Sequence, residues 1–258
     1  MKLPALIVTD LHLTANPRDE YRWGVMPWMA TQCRRHKVKT LLILGDLTDA
    51  KDYHPAELVN RVANDLALVS DEVDEIIILL GNHDYLKEGK AFFAFLSHHP
   101  KIKFITEPTI EKGRGGLDDI DALFLPHTKT PKEDWSVPGL KFSNFDLVFM
   151  HQTVAGSIVS NGQAMESNRP AEFGLKGKQR IYAGDIHVPQ IIGDVIYVGS
   201  PYPVHFGDTF KARGILLEKD GRQVDVHYHT IQRLALDLEM KTLDDWPDTY
   251  PGDQIKIR

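Results

Sequence analysis

The stretch Ile43-Leu44-Gly45-Asp46-Leu47-Thr48-Asp49 decides how the rest of the chain is read. An apolar run from Thr40 to Leu44 marks a strand buried on both faces. It stops at a glycine and hands Asp46 to the strand's carboxyl end, where open α/β sheets place their ligand crevice. Four further stretches repeat the pattern. Ala5 to Thr9 leads to Asp10 and His12; Glu75 to Leu80 leads to Gly81-Asn82-His83-Asp84; Phe145 to Met150 leads to His151; Arg180 to Gly184 leads to Asp185 and His187. Each expected strand ends in side chains able to hold a metal or move a proton, with Asp46 at the centre.

The 258 residues can bury a substantial core, as one large α/β domain with a short appendage or as two small ones. A formal charge of -6 argues against a protein that clings to nucleic acid by net attraction alone. It does not exclude a nuclease, because acidic ligands lose their negative character once divalent ions bind. The single cysteine, Cys33, rules out an internal disulfide framework and suits a reducing cytoplasm. No apolar stretch approaches the ~20 residues that span a bilayer. The opening apolar run is too short, and too soon charged, for a signal peptide. A soluble cytoplasmic protein is expected, with no membrane partner.

Along the chain, Leu13 to Tyr21 reads as loop. Val25, Met29 and Cys33 recur at helical spacing, with Arg34, Arg35, His36, Lys37 and Lys39 at that helix's end. Leu58, Val59, Val62, Leu66 and Val69 fall on one face of a second helix, which completes a right-handed βαβ crossover. Phe92, Phe93 and Leu96 mark a short helix ended by His98 and His99, which read as a solvated helix end and not as ligands. Lys101 to Leu125, broken by Gly113, Gly115 and Gly116, suggests hairpins, and Pro126 to Gly139 a loop. Gln152 to Lys178 reads as a long functional loop. Ile191 to Val198, Gly214 to Glu218 and Val224 to Thr230 read as strands, the last after an Asp220-Gly221 turn. His227 and His229 share one face of that last strand and read as exposed. An acidic patch with Trp246 and Pro247 precedes a final strand-like Gln254 to Arg258.

The order Asp-x-His, Gly-Asp, Gly-Asn-His-Asp, strand-terminal His, Gly-Asp-x-His resembles the calcineurin-like metallophosphoesterase superfamily over residues 5 to about 218. That resemblance implies an α/β fold in which two central mixed β-sheets are sandwiched by helices, a four-layer αββα arrangement. It implies a metallophosphoesterase domain over 1–230 and a short C-terminal extension, 231–258, as the remnant of a capping domain. It also implies two divalent ions, one held by Asp10, His12, Asp46 and His187, the other by Asp46, Asn82, His151 and Asp185. Asp46 would bridge them, because a carboxylate can serve both ions at once. His83 would act on the phosphorane charge or the departing oxygen, with Asp84 fixing its ring. The superfamily usually has Gly-His-x-His where this chain has Gly184-Asp185-Ile186-His187. Aspartate is the harder ligand and tilts the expectation toward manganese, with magnesium, iron(II) or zinc as alternatives.

Gly184-Asp185-Ile186-His187-Val188-Pro189-Gln190, then Tyr197-Val198-Gly199-Ser200-Pro201, Phe206-Gly207-Asp208 and Arg213-Gly214, resemble the SbcD-type DNA exonuclease family and its double-strand-break-repair relatives. That family implies manganese-dependent, 3'-to-5' cleavage of DNA, with single-strand endonuclease activity as a second mode, by a dimer attached to an SbcC-type ATPase, with the dimer helix falling at Pro55 to Ser70. A compact phage or stand-alone member, in the host-cell cytoplasm if phage-encoded, fits the short C-terminal extension. The competing readings are a small-nucleotide phosphodiesterase or phosphomonoesterase, and a non-catalytic scaffold of the same fold.

Overall fold

The apolar runs become strands of two stacked sheets in the computed structural model of the chain, which describes residues 1–51, 53–85, 90–113, 120–136, 145, 147–167, 169, 172, 175, 180–206, 208, 210–236 and 252–257. In chain order the strands are β1 (Ala5–Val8), β2 (Thr40–Ile43), β3 (Glu75–Leu79), β4 (Ile102–Ile105), β5 (Thr109–Glu111), β6 (Ala122–Leu125), β7 (Leu147–His151), β8 (Arg180–Gly184), β9 (Gln190–Ile192), β10 (Val195–Tyr197), β11 (Arg213–Leu217), β12 (Gln223–His227), β13 (Arg233–Leu236) and β14 (Gln254–Ile257). One six-stranded sheet runs β12-β11-β1-β2-β3-β4 and the other β5-β6-β7-β8-β10-β9; β13 and β14 pair with each other. Both large sheets are mixed: the first is parallel from β1 to β4 and antiparallel at its β11–β12 edge, the second parallel at its centre and antiparallel at both edges.

Period-two alternation splits each apolar strand between two cores. Leu6, Val8, Leu41, Ile43, Ile76 and Ile78 face helices α1 (Val25–His36) and α2 (Ala56–Ser70). Their neighbours Ala5, Ile7, Leu42, Leu44, Ile77 and Leu79 meet Ala122, Phe124, Phe149 and Tyr182 of the second sheet. The second sheet's outer face is covered by Trp135, Val154, Leu175 and Ile186, next to the short helix α3 (Pro131–Asp134). This is the four-layer αββα arrangement expected. Helix α1 ends where Lys37 turns left-handed at φ 52°, with Arg34, Arg35 and His36 in the last turn. Among the described residues no helix is long and apolar enough to cross a membrane.

Several local expectations are corrected. A 3-10 segment, Pro17–Gly24, occupies part of the expected loop, started by the Asn16 side chain accepting from the Arg18 amide. Strand β4 is no hairpin arm; it joins the first sheet parallel to β3, because Ile102 and Ile105 bury beside Ile76 and Leu79. Among the described residues of that region only β5 and β6 pair antiparallel. The run Ile191 to Val198 breaks at Gly193, whose φ of +59° lets β9 fold back on β10. The expected loop after Pro126 contains α3. Among the described residues His98 and His99 make local side-chain hydrogen bonds, to Phe95 O and from the Lys101 amide, as a helix end should. Gly115, Gly116, Gly207 and the acidic patch with Trp246 and Pro247 lie outside the described residues, as do parts of the long 152–178 loop.

Candidate metal centre

Register brings the site together. Val8, Ile43 and Ile78 are successive partners across β1, β2 and β3, so Asp10, Asp46 and Asn82 leave one sheet edge side by side. In the second sheet His151 pairs with Gly184, which places His151 next to Asp185. The segment after β1 then follows the segment after β2, with the amides of Asp10, His12 and Leu13 donating to the carbonyls of Gly45, Asp46 and Leu47. Asp10, His12, Asp46 and Asp185 all hold positive φ, at 52°, 41°, 54° and 85°. Asp and His tolerate this region better than branched residues, yet each such turn costs about 1–3 kcal/mol, strain that collects at functional sites.

Two glycines are required by close approach. A Cβ on Gly81 would overlap the Asp46 carboxylate, and a Cβ on Gly45, whose φ is +90°, would overlap the His151 ring. The Gly-Asp and Gly-Asn pairs of the sequence are therefore spacing devices that let one loop slide under the next.

Asp46 lies between two groups of ligands. Its Oδ2 is 3.4 Å from His12 Nε2 and its Oδ1 3.5 Å from His151 Nε2. Around it the donor atoms of Asp10, His12 and His187 lie within 4.8 Å of one another, as do those of Asp10, Asp46 and His151, and those of His12, Asp46 and His83. Asn82 Oδ1 sits 3.3 Å from His151 Nε2. Asp185 Oδ1 is 3.8 Å from the same nitrogen, while its other oxygen accepts from the Thr153 hydroxyl. The structure thus gathers all eight of Asp10, His12, Asp46, Asn82, His83, His151, Asp185 and His187.

The electrostatics fit a cation. Burial pushes the Asp10 carboxyl up to about 8, and burial, then neighbouring Asp84, pushes Asp46 well above the carboxylate range. Asp10 Oδ2 is buried with no hydrogen-bond partner. Burial drives His12 down to about 3 and His187 to about 4, so both imidazoles are neutral, the form that ligates. Burial also lowers His83. Unpaired buried carboxylates beside neutral imidazoles are costly without a positive charge among them and suited to one with it.

Asp84 does not orient His83. It is fully buried and accepts from the amides of Asp46, Leu47 and Gly81 at 2.8–3.1 Å, tying the second site loop to the third. The His83 ring is set instead by Asp49, whose carbonyl lies 2.8 Å from His83 Nδ1. The Asp49 carboxylate meets His12 Nδ1 at 3.2 Å, and that contact, against the opposing effect of burial, holds Asp49 down to about 2. Asp49 was in the opening stretch, but nothing in its spacing distinguished it from a turn residue. His127 also went unnoticed: its ring lies 6.1 Å from that of His151 at the end of β6, and burial lowers it to about 4. The signal was an apolar strand ending in Pro126-His127, hidden by the expectation of a loop.

The model of the calcineurin-like phosphoesterase family matches residues 3–189, more than two thirds of the chain. A curated relative, exonuclease subunit 1 of Enterobacteria phage T4, is 21% identical over 213 residues, covering 80% of this chain. The chain spans 61% of that relative's length. The crystal structure of Pseudomonas putida nuclease MPE aligns over 86% of this chain and 87% of its own, at 14% identity and a TM-score of 0.40.

Proposed function

The chain belongs to the calcineurin-like phosphoesterase family, and on that premise we propose that it is a manganese-dependent DNA nuclease of the SbcD type, working as a 3'-to-5' exonuclease. The clustered ligands in this fold make it a metal-dependent hydrolase in general terms. The finer reading draws on the 21% identity to a phage exonuclease subunit and on the blocks around Gly184 to Gly214.

One observation carries the reading: Asp46 turns one carboxylate oxygen toward His12 and the other toward His151. Asp10, His12, Asp46 and His187 would hold one ion, and Asp46, Asn82, His151 and Asp185 the other. Two divalent ions there would supply charge neutralisation of a phosphoester and a nucleophile at neutral pH. The protein's own part is positional. With Nδ1 donating to Asp49 O, His83 keeps Nε2 for the substrate and can donate from it to a phosphoester oxygen when protonated. Asp84 and Arg22 stiffen the loops behind the ligands, the latter by donating to His12 O at 2.6 Å.

The test incubates the purified chain with manganese and linear duplex, single-stranded and circular DNA, beside a generic diester and a monoester, with His83→Ala as control. Release of nucleotides from 3' ends that His83→Ala abolishes is the expected result. Dominant monoester cleavage with intact DNA would overturn it. An SbcC-type ATPase partner and a homodimer extend the same proposal, and co-purification and sedimentation test them. So does the division into a 1–230 catalytic domain and a 231–258 extension.

A further inference from the structure

The loop that follows the Asp46 ligand is closed on itself. His54 Nε2 lies 2.9 Å from Thr48 Oγ1, and the His54 ring stacks on Phe92 with centroids 4.0 Å apart and planes at 20°. Both anchors belong to the metal centre's own supports. Thr48 bridges to Leu13 beside His12, and the Phe92 amide donates to the Asp84 carbonyl. Between the anchors stand two exposed side chains, Lys51 and Tyr53. Tyr53 is 78% exposed, the most exposed large hydrophobic among the described residues. Lys51 is exposed too, two residues on from Asp49, whose carbonyl lies 2.8 Å from His83 Nδ1, and its charge acts on Asp46, His83 and His127. Phe95, 41% exposed, continues the aromatic surface from Phe92 at 6.3 Å.

A cation and a solvent-facing ring on one tied loop, beside a phosphoester site, match a single nucleic-acid strand. Each nucleotide offers a phosphate to the first and an unstacked base face to the second. A duplex keeps its base faces covered, and a monoester has neither a neighbouring phosphate nor a neighbouring base. We propose that Lys51 and Tyr53 form a strand-binding arm, in which Lys51 takes a phosphate next to the scissile one and Tyr53 stacks on a flanking base, so that the enzyme selects single-stranded ends. The inference rests on the nuclease reading above and specifies its substrate.

Steady-state cleavage of a single-stranded DNA decanucleotide in manganese tests it. Tyr53→Ala should raise KM about tenfold, within the range of one lost base–aromatic stack, with most of the loss in KM and not kcat. Tyr53→Phe should restore the wild-type KM. Lys51→Ala should flatten the slope of log(kcat/KM) against log salt by about 0.7, the loss of one phosphate contact. Replacing the flanking nucleotide by an abasic one should raise KM for the wild type and add nothing to Tyr53→Ala. Wild-type KM in Tyr53→Ala, or an abasic penalty undiminished in that variant, overturns the arm while the nuclease assignment stands. A wild type that cleaves monoester and no DNA overturns both.

Discussion

At Asp84 one carboxylate with no exposure to solvent receives three backbone N–H donors from segments 38 residues apart in sequence. Burial raises its pKa despite those donors, so the amides hold a group that the interior disfavours. Asp84→Asn would put an NH2 group against an amide donor, and we expect a loss of about 3 kcal/mol, read as a lower urea midpoint. An unchanged midpoint would mean the amides find other acceptors and the tie is dispensable. Cys33 offers a second check at this scale. It is fully buried on α1, and burial pushes its thiol up to about 12, so the reactive thiolate is scarce at pH 8. A disulfide reagent at that pH should label the chain only after denaturation; rapid labelling of the native protein would contradict the packing of α1 on the sheet.

Among the elements, the parallel strands deliver ligands and the glycines after them set how closely the delivered loops approach. Gly45 makes the point most sharply, since it combines a φ of +90° with a face that touches His151. Gly45→Ala should cost at least about 2 kcal/mol and lower the number of manganese ions bound per chain, measured by elemental analysis of the dialysed protein. Full metal content at wild-type stability would show the loops can part without consequence. The parallel crossover from β2 through α2 to β3 was readable from the apolar runs and the helix between them; the register was not. The partner of β4 was not, because a short strand after a polar turn looks the same whether it folds back or crosses over.

For the whole molecule, the two sheets are held together by an apolar layer while the centre at their common edge gathers carboxylates that repel. Manganese at a hundredfold excess over its dissociation constant should stabilise the native state by about 2.7 kcal/mol. In a chain of this size that is a rise in Tm of about 5–10 °C, reversed by chelator and missing in Asp46→Asn. A Tm indifferent to manganese would remove the basis for the metal reading. Among the described residues β13 and β14 pair as strands with each other and with neither large sheet, although Gln254 Nε2 donates to Arg18 O at 2.6 Å. A chain ending at Thr230 should therefore unfold cooperatively and lie within about 1 kcal/mol of the full chain in stability; a molten product would place the extension inside the cooperative unit.

The sequence by itself determined the five strands that carry the site, the two long helices and the side chains at those strand ends, because local periodicity and strand-terminal glycines are written in neighbouring residues. Only the tertiary structure decided the partners of those side chains. That Asp84 holds amides, that Asp49 orients His83 and reaches His12, and that His127 stands beside His151 all depend on loops meeting across two sheets. Proximity between residues far apart in the chain is set by packing, and packing leaves no periodic trace in the order of residues.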